Sequence, residues 1–547
     1  MENVYQYIEP KLGSDICQNL ELFAKKPLIS IITPTYNIDI KIFELLINSV
    51  LKQWYKNWEL IIIDDGSANT ELLDYLKSLS HPNILVFFNE KNLGISSSTN
   101  FGISQAQGEY IGFLDHDDEL TPDALYEVVQ AINNVDPDII YSDEDFIQDN
   151  NYIRPHFKSD FNETLLLNHY YVTHFLIYKS EIIQRTGTFD SDCDGSQDYD
   201  FFLRASDLTK KIHHIPRILY HWRMIPTSTC FYPPAKPEAH HSGKKAIEKT
   251  ISRRKIDAKV EDGYVIFSYK VRYQIKADPL VSIVIPFKGH EKLSLDCFES
   301  ILNLSSYKNF NIISVSSGNL SEENFHTLEK LKSLSKRISY FQFKDELHNK
   351  SSMNNLATLK AESNTEHMLF LNPNTQIIHE DWIEYLLEYS QQSNIGAVGG
   401  KILFPDKTIL NAGYILGVNG YFSTPYKGMP SNISGYFSRA QFTHQVMGVS
   451  GDCMMVKREL IHKMGGFDAT NFPVLNGDVD LCVRLHLQNF KNIFNPSCQV
   501  IQLDSEKVND METKEKNYFI HNYRNIIDRG DPFYNQNFSK IGECFSL

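Results

Sequence analysis

No stretch of this chain approaches the roughly 20 consecutive apolar residues that a membrane-spanning helix requires, so any membrane association is expected to be peripheral. The first 25 residues lack a basic start followed by an apolar run, and no signal peptide is expected. Basic residues are in deficit: 53 Lys and Arg against 68 Asp and Glu give a formal net charge of −15. That balance argues against nonspecific nucleic-acid binding, which depends on basic patches that release counterions. It leaves room for a local basic groove facing a phosphate. Cysteines are few and scattered, eight in all (Cys17, Cys193, Cys230, Cys297, Cys453, Cys482, Cys498 and Cys544), with no CxxC pair. Neither zinc-ligand spacing nor a disulfide framework follows, and a reducing cytosol suits them. Low-complexity runs are also missing, and 21 Pro and 27 Gly in 547 residues are no excess.

What the chain has is one series of motifs written twice. The first copy reads ISIITPTYN (29–37), IIIDDGS (61–67), GEYIGFLDHDDEL (108–120) and GTFD leading to SQDYDFFLR (187–204). The second reads VSIVIPFKG (281–289), IISVSSGN (312–319), EHMLFLNPNTQ (366–376) and GGFD leading to NGDVDLCVR (465–484). Order is kept while spacing drifts, as in a duplicated domain rather than a short solenoid repeat. The copies differ where it matters chemically, because Asp115 and Asp117 of the first correspond to Asn372 and Asn374 of the second.

Both copies alternate short apolar runs with amphipathic stretches. LISIIT (28–33), LIIID (60–64), ILVFF (84–88) and YIGFL (110–114) read as buried strands separated by helices, which predicts an α/β fold with a largely parallel sheet wrapped by helices. Ligands of such sheets bind at the carboxyl ends of strands, so TPTYN, DDGS and DHDD are expected to converge on one cleft. The expected organisation is a helical lead-in over 1–27, a first domain over 28–250, a connector over 251–278, a second domain over 279–510 and a tail over 511–547. The Pro- and His-rich run that begins near 225 prefaces the connector.

The first copy carries the titratable groups. In DHDD, Asp115, Asp117 and Asp118 follow a strand, and carboxylates around such a turn suit a divalent cation shared with a diphosphate. An acidic turn capping a helix is the alternative. Asp64 and Asp65 end another strand, where a carboxylate accepts hydrogen bonds from a base or ribose. Tyr36 is placed to stack on a base. Asn92, Gly94 and the serines after them open a helix whose amides suit phosphate oxygens. SQDYDFFLR puts Gln197, Asp198 and Asp200 at a helix start. Asp198 is the candidate general base, and Asp200 reads as a helix-start carboxylate. His221 is a further candidate metal ligand, and Arg223 a candidate partner for a leaving diphosphate.

The set ISIITPTYN, IIIDDGS, NLGISSSTN, GEYIGFLDHDDEL, YSDED, SQDYDFFLRA and ILYHWR resembles the family 2 glycosyltransferases of the GT-A fold. Within them it is most similar to tandem-domain enzymes of bacterial O-antigen, capsule and rhamnan assembly. The resemblance implies two tandem GT-A domains and an inverting transfer of sugar from a nucleotide-diphospho-sugar to a hydroxyl of a saccharide or lipid-linked saccharide acceptor. It implies Mn²⁺ or Mg²⁺ as cofactor, in the cytoplasm or at the inner membrane face. On the matching positions it implies that Pro34, Tyr36, Asn37, Asp65, Asn92, Gly94, Asp115 and Arg223 bind the nucleotide-sugar. Asp115, Asp117 and His221 would hold the metal, and Asp198 would be the base. His156 and Lys158 of HFKSDFN are implied near diphosphate or acceptor.

The second copy keeps Asp478 where the first has Asp198, a second candidate base. SVSSGN lacks the acidic pair, NPN lacks both carboxylates, and Gln502 or Leu503 stands where the family commonly has a histidine. Amides hold divalent cations far more weakly than carboxylates, so metal dependence is not expected there. Three readings stay open for this copy: a second transferase working with little help from metal, a glycan-binding module, or a structural partner. For the whole chain the alternatives to a single transferase centre are a bifunctional enzyme and a non-catalytic scaffold.

Overall fold

The computed structural model describes residues 5–225, 237–289, 295–343, 349–503 and 511–547. Most of the Pro- and His-rich run (226–236) therefore lies outside the described residues. The chain forms two compact units. One comprises residues up to Phe161 with Leu166–Val271, and the other Arg272–Ser546 with Asn162–Leu165. The expected lead-in and most of the connector thus belong to unit 1, and the tail to unit 2.

Unit 1 runs α1 (Ser14–Leu22), β1 (Ile29–Thr35), α2 (Ile40–Leu51), β2 (Trp58–Asp64), α3 (Thr70–Ser78), β3 (Ile84–Phe88), α4 (Ile95–Gln105), β4 (Tyr110–Phe113), β5 (Glu119–Leu120) and α5 (Ala124–Val135). It continues through β6 (Ile139–Gln148), β7 (Asn151–His156), β8 (Ile177–Lys179), α7 (Ser180–Thr186), α8 (Gln197–Ser206), β9 (Ile212–Arg223), α9 (Pro237–Arg253), β10 (Ala258–Asp262) and β11 (Tyr269–Tyr273), while the short α6 (Glu163–Leu166), between β7 and β8 in the chain, falls mostly to unit 2. The sheet order is β3-β2-β1-β4-β8-β6-β9-β5, with β7 on β6. Strand β2, WELIIID, is buried at every position, as a strand covered on both faces must be. Its Leu60 and Ile62 join Ile31, Phe43 and Val128 in one core. Asp39 caps α2 by accepting the Lys41 amide at 2.8 Å, which satisfies one of the amides a helix start leaves open.

The expected largely parallel sheet holds for β1, β2, β3, β4, β6 and β9, which all run one way, while β5, β7 and β8 run the other. β1, β2, β3 and β4 are mutually parallel, whereas β8 runs antiparallel to β4 and β6, and β5 antiparallel to β9. The sheet is mixed because the chain returns through the three-residue β8 without a helical crossover. The parallel run β3-β2-β1-β4 aligns the ends of β1, β2 and β4. There the Asp65 amide donates to Thr35 O at 2.8 Å, and the Tyr36 amide to His116 Nδ1 at 3.3 Å. TPTYN, DDGS and DHDD therefore meet.

From α9 on, the segment that follows β9 is packed. Ser196 at the start of α8 donates to Ala239 O of α9 at 2.8 Å. A Cβ at Gly243 would lie 2.1 Å from the Tyr269 hydroxyl, which itself bonds His240 O at 2.8 Å.

Unit 2 repeats the plan. It runs β12 (Leu280–Lys288), α10 (Leu295–Leu304), β13 (Phe310–Ser317), α11 (Glu322–Leu334), β14 (Ile338–Phe343), α12 (Lys350–Lys360), β15 (Thr365–Leu371), β16 (Thr375–Ile377), α13 (Trp382–Ser390) and β17 (Ile395–Leu403). Then come β18 (Ile409–Asn411), β19 (Ile415–Leu416), β20 (Phe422–Ser423), β21 (His444–Val446), β22 (Cys453–Lys457), α14 (Arg458–Lys463), α15 (Gly477–Leu487), β23 (Lys491–Gln502), α16 (Met511–Asn522) and α17 (Arg524–Arg529). Its main sheet order, β14-β13-β12-β15-β22-β17-β23-β16, is that of unit 1 strand for strand. Helix α16 holds the loop that leads into α15, where Glu515 accepts the amides of Val474 and Leu475 at 3.0 and 2.8 Å. Among the described residues no helix is long and apolar enough to cross a membrane.

Candidate active site

The DHDD turn lies between β4 and β5 and is tied down by β9. Asp118 is fully buried and accepts the Tyr220 hydroxyl at 2.5 Å and the Arg223 amide at 2.7 Å. The Asp115 amide in turn donates to the Tyr220 oxygen at 3.3 Å. Held this way, the Asp115 side chain stays about half exposed, and Asp117 is 9% exposed. Burial raises the carboxyl pKa values of both Asp117 and Asp118, so this turn has an unmet demand for positive charge.

His174 meets that turn. Its Nε2 lies 3.8 Å from Asp115 Oδ2, and ligand atoms of Asp115, Asp118 and His174 all fall within 4.8 Å of one another. Its ring stacks on Tyr220 with centroids 4.5 Å apart. Behind it, Glu144 Oε2 accepts both the His174 amide and Nδ1 at 3.1 Å. Glu144 Oε1 accepts Thr173 Oγ1 at 2.7 Å and faces His156 Nδ1 at 3.0 Å. Lys158, wholly buried, sits 3.3 Å from Glu144 Oε2 and donates to the carbonyls of Val172, at 2.8 Å, and His174. A buried carboxylate survives only with such partners. Burial opposes its charge, yet Lys158, His156 and His174 together hold its pKa well below the ordinary value. For His174 burial works downward, but the bond to Glu144, with the charges of Glu144 and Asp115, raises the pKa overall.

Glu144 belongs to a run of three carboxylates on β6, each holding a histidine. Asp143 Oδ1 lies 2.8 Å from His214 Nε2, Glu144 holds His174, and Asp145 holds His221 Nδ1. Strand alternation sends His221 to the face opposite Tyr220 and Trp222. Tyr220 and Trp222 contact His174, whereas His221 packs against Tyr7 and Tyr152. The trio expected around a metal, Asp115, Asp117 and His221, is therefore not the trio brought together. The histidine that stands with Asp115 and Asp118 is His174, a residue that sequence reasoning missed.

Asp198 stands in the first turn of α8. It keeps a partly exposed surface, and Oδ1 accepts the Tyr199 amide at 2.8 Å. Burial pushes its pKa to about 6, with the charge of His174 pulling it down and that of Asp115 adding to the rise. It thus shares the field of the DHDD cluster. Asp200 instead secures the helix. It pairs with Arg204 at 2.8 Å, while Arg204 donates to the carbonyls of Thr186 and Thr188 at 2.8 and 2.9 Å.

Other expected contacts are already engaged within the protein. Asp65 accepts Asn89 Nδ2 at 2.8 Å and the amides of Leu93 and Gly94 at 2.9 Å, so it shapes the loop bearing the exposed Asn92. Gly94 precedes α4 at φ +89°, a conformation that favours glycine. Ser96 bonds Asp194, so an acidic side chain already stands at the start of α4. Arg223 pairs with Glu119 and donates to Asp117 O at 3.0 Å, which makes it a clamp on the DHDD turn. Asn37 accepts the Ala68 amide at 2.8 Å. Pro34 lies opposite Ile63 in the β1–β2 register. Tyr36 is 45% exposed and remains open to a planar ligand.

Sheet register aligns the units residue by residue. Lys179 faces Tyr110 in β8–β4 as Lys457 faces His367 in β22–β15, which puts Asp452 where unit 1 has His174. Tyr220 faces Leu120 in unit 1 as Val500 faces Ile377 in unit 2, which puts Ile501 at the place of His221 and Leu503 at that of Arg223. The expectation of Gln502 or Leu503 at the histidine position is thereby corrected. Glu144 and Asp145 face Tyr220 and His221, and Ile402 and Leu403 face Val500 and Ile501. Unit 2 has thus lost carboxylates and histidines together. Its NPN turn is self-contained, with Asn372 Oδ1 accepting the Asn374 amide at 2.9 Å. Asp478 keeps the bond of Asp198, accepting the next amide at 2.8 Å, and adds the Gly451 amide at 2.6 Å.

Comparison with known proteins agrees with this duplication. Residues 30–188 match the model "Glycosyl transferase family 2", and residues 278–517 match "Glycosyltransferase like family 2". The uncharacterized protein y4gI of Sinorhizobium fredii is 32% identical, over 95% of this chain and 58% of that protein. The O-antigen biosynthesis protein RfbC of Myxococcus xanthus is 30% identical, over 94% of this chain and 40% of that protein. The chain therefore spans only about half the length of these relatives. Among solved structures, S. aureus TarS 1–349 in complex with UDP-GlcNAc is 20% identical over 41% of this chain and 66% of that one, with a TM-score of 0.34.

Proposed function

The chain belongs to glycosyltransferase family 2, and from that premise we propose that unit 1 is a metal-assisted inverting transferase. It would move a sugar from a nucleotide-diphospho-sugar to a saccharide hydroxyl in surface-polysaccharide assembly. The observation that carries this reading is the Asp115–Asp118–His174 cluster, with Asp198, its carboxyl raised to about 6, in the field of His174 and Asp115. The naming of RfbC as an O-antigen biosynthesis protein supports the polysaccharide class, and a lipid-linked saccharide is the acceptor proposed with it.

The donor set of this cluster suits a hard divalent ion. It offers carboxylate oxygens and one imidazole nitrogen whose other nitrogen is bonded to Glu144, the arrangement common behind metal-bound histidines. Asp115 and His174, which stand together with Asp118, would hold Mn²⁺ or Mg²⁺, with Asp117 of the same turn as a further candidate, while Asp118 also braces the turn through Tyr220 and Arg223. Such an ion supplies positive charge against a leaving nucleoside diphosphate.

The chain's own groups do the rest. Tyr36 presents a face for a nucleobase, and Asp65 sets the loop around Asn92. Asp198, ionised at neutral pH, accepts the proton of the acceptor hydroxyl as its oxygen attacks the anomeric carbon. A single in-line displacement inverts that carbon. A screen of nucleotide-sugars for thermal stabilisation and turnover, with and without Mn²⁺, tests the reading. Stabilisation and turnover with one donor that excess EDTA removes is the expected result. Turnover unaffected by EDTA contradicts the metal's part, and no response to any donor contradicts the transferase.

A further inference from the structure

Unit 2 keeps the base-bearing helix of unit 1 but rebuilds the charges around it. Where unit 1 has Asp115, Asp117, Asp118 and Asp198, unit 2 has Asn372, Asn374, Thr375 and Asp478. One imidazole position, His174, becomes Asp452. Helix register supplies the compensating change. Asn100 exchanges two hydrogen bonds with the Phe189 backbone, at 3.0 and 2.8 Å, and Asn355 does the same with Phe467, at 2.9 and 2.8 Å. The first residue of α12, Lys350, therefore stands where unit 1 has the apolar Ile95.

The Lys350 ammonium lies 2.7 Å from Asp452 Oδ1, with side-chain exposures of 29% and 24%, so solutes can reach both. Burial raises the pKa of Asp478, and the charge of Lys350 is the strongest influence holding it down, which places lysine and candidate base in one field. Tyr414, half-buried, lies in the fields of Asp478 and Asp452. One turn along α12 from Lys350, and on the same face, Asn354 is 4% exposed. Its Oδ1 has no hydrogen-bond partner among the described residues. In unit 1 this position is Thr99, whose hydroxyl is satisfied by Ile95 O at 2.8 Å.

We propose that unit 2 carries a second diphosphate-binding site in which Lys350 supplies the positive charge that unit 1 takes from a divalent cation. Four crowded carboxylates, as in unit 1, demand a cation before an anionic ligand can approach. Unit 2 keeps one carboxylate beside a lysine–aspartate pair, and that arrangement accepts a diphosphate by exchanging Asp452 for phosphate oxygen on the ammonium. The proposal goes beyond the reading of unit 1, because it adds a site with a different source of charge.

Calorimetric titration of the full chain with UDP, GDP and inorganic pyrophosphate in excess EDTA tests it, since chelation silences a metal-dependent site in unit 1. Saturable binding is expected, weakened about tenfold in Lys350→Gln, the loss of one charged contact, and retained in Lys350→Arg. Asp452→Asn is expected to tighten binding, because it removes the competing anion. That gain is one that a purely structural ion pair does not produce, and it holds the test open should Lys350→Gln fold poorly. Tighter binding of UDP or GDP than of pyrophosphate assigns a nucleotide ligand, and equal binding assigns the bare diphosphate; either supports the site. Binding that appears with Mn²⁺ but not in EDTA overturns the inference while leaving unit 1 intact. Equal affinities of Lys350→Gln and the parent protein overturn it as well. No binding under either condition overturns both readings.

Discussion

Glu144 Oε2 lies 3.1 Å from His174 Nδ1 and 3.1 Å from the His174 backbone amide, so one buried carboxylate fixes both the ring and the chain that carries it. With Nδ1 directed at Glu144, Nε2 faces Asp115 and is the nitrogen offered to a metal. In unit 2 the places of both residues are taken by others, Ile402 and Asp452.

His174→Ala is expected to weaken Mn²⁺ binding about 10- to 100-fold. His221→Ala is expected to leave metal affinity unchanged while lowering stability, because it strands the buried Asp145. Titration calorimetry on the two variants, with urea unfolding alongside, separates the two histidines.

Glu144→Gln leaves Lys158 wholly buried beside a neutral amide. Removing one partner of a buried ion pair costs about 3–5 kcal/mol, and a loss of this order in urea unfolding is expected. The double variant Glu144→Gln, Lys158→Met should recover part of it.

Proton uptake by Asp198 should set the acid limb of the rate profile. Its carboxyl is raised to about 6, so the ionised form that accepts a proton prevails above that pH and is lost below it. The expected kcat/KM is level near neutrality and falls about tenfold per pH unit below 6. A limb near 4 instead would show that the base is an ordinary exposed carboxylate.

Arg204 and Arg484 are matching latches. Each pairs with the aspartate four residues before it and donates to two backbone carbonyls of the turn before the base helix. Replacing either with Ala should cost about 2 kcal/mol of stability, read as a drop in denaturant midpoint, with metal affinity unchanged.

Much of this was legible in the sequence. The duplication, the parallel strands β1, β2 and β4, the meeting of three polar clusters and the placing of Asp198 and Asp200 on one helix follow from apolar runs and repeated motifs. The return strand β8 was not, because three residues carry no period. His174 was missed for a related reason: VTHF has neither a repeated motif nor a charged neighbour, and its meaning comes from Glu144 on a distant strand. Aligning the copies through their shared lysines, Lys179 and Lys457, would have set it opposite Asp452 as a changed position. His221 looked right because it follows a strand-like run beside Tyr220. Two-residue alternation turns it away from the very cluster Tyr220 supports. Arg223 clamps the DHDD turn and Asp65 the loop around Asn92, and a string of letters does not show that partners inside the protein already hold them.

The most direct test is to measure sugar transfer from one accepted donor by Asp198→Asn and Asp478→Asn in the full chain, each checked for folding and Mn²⁺ binding. With the chemistry in unit 1, Asp198→Asn is predicted to bind donor and metal but lose about a thousandfold in kcat, while Asp478→Asn transfers that sugar at close to the parent rate. Transfer that survives Asp198→Asn and is abolished by Asp478→Asn would contradict that placement.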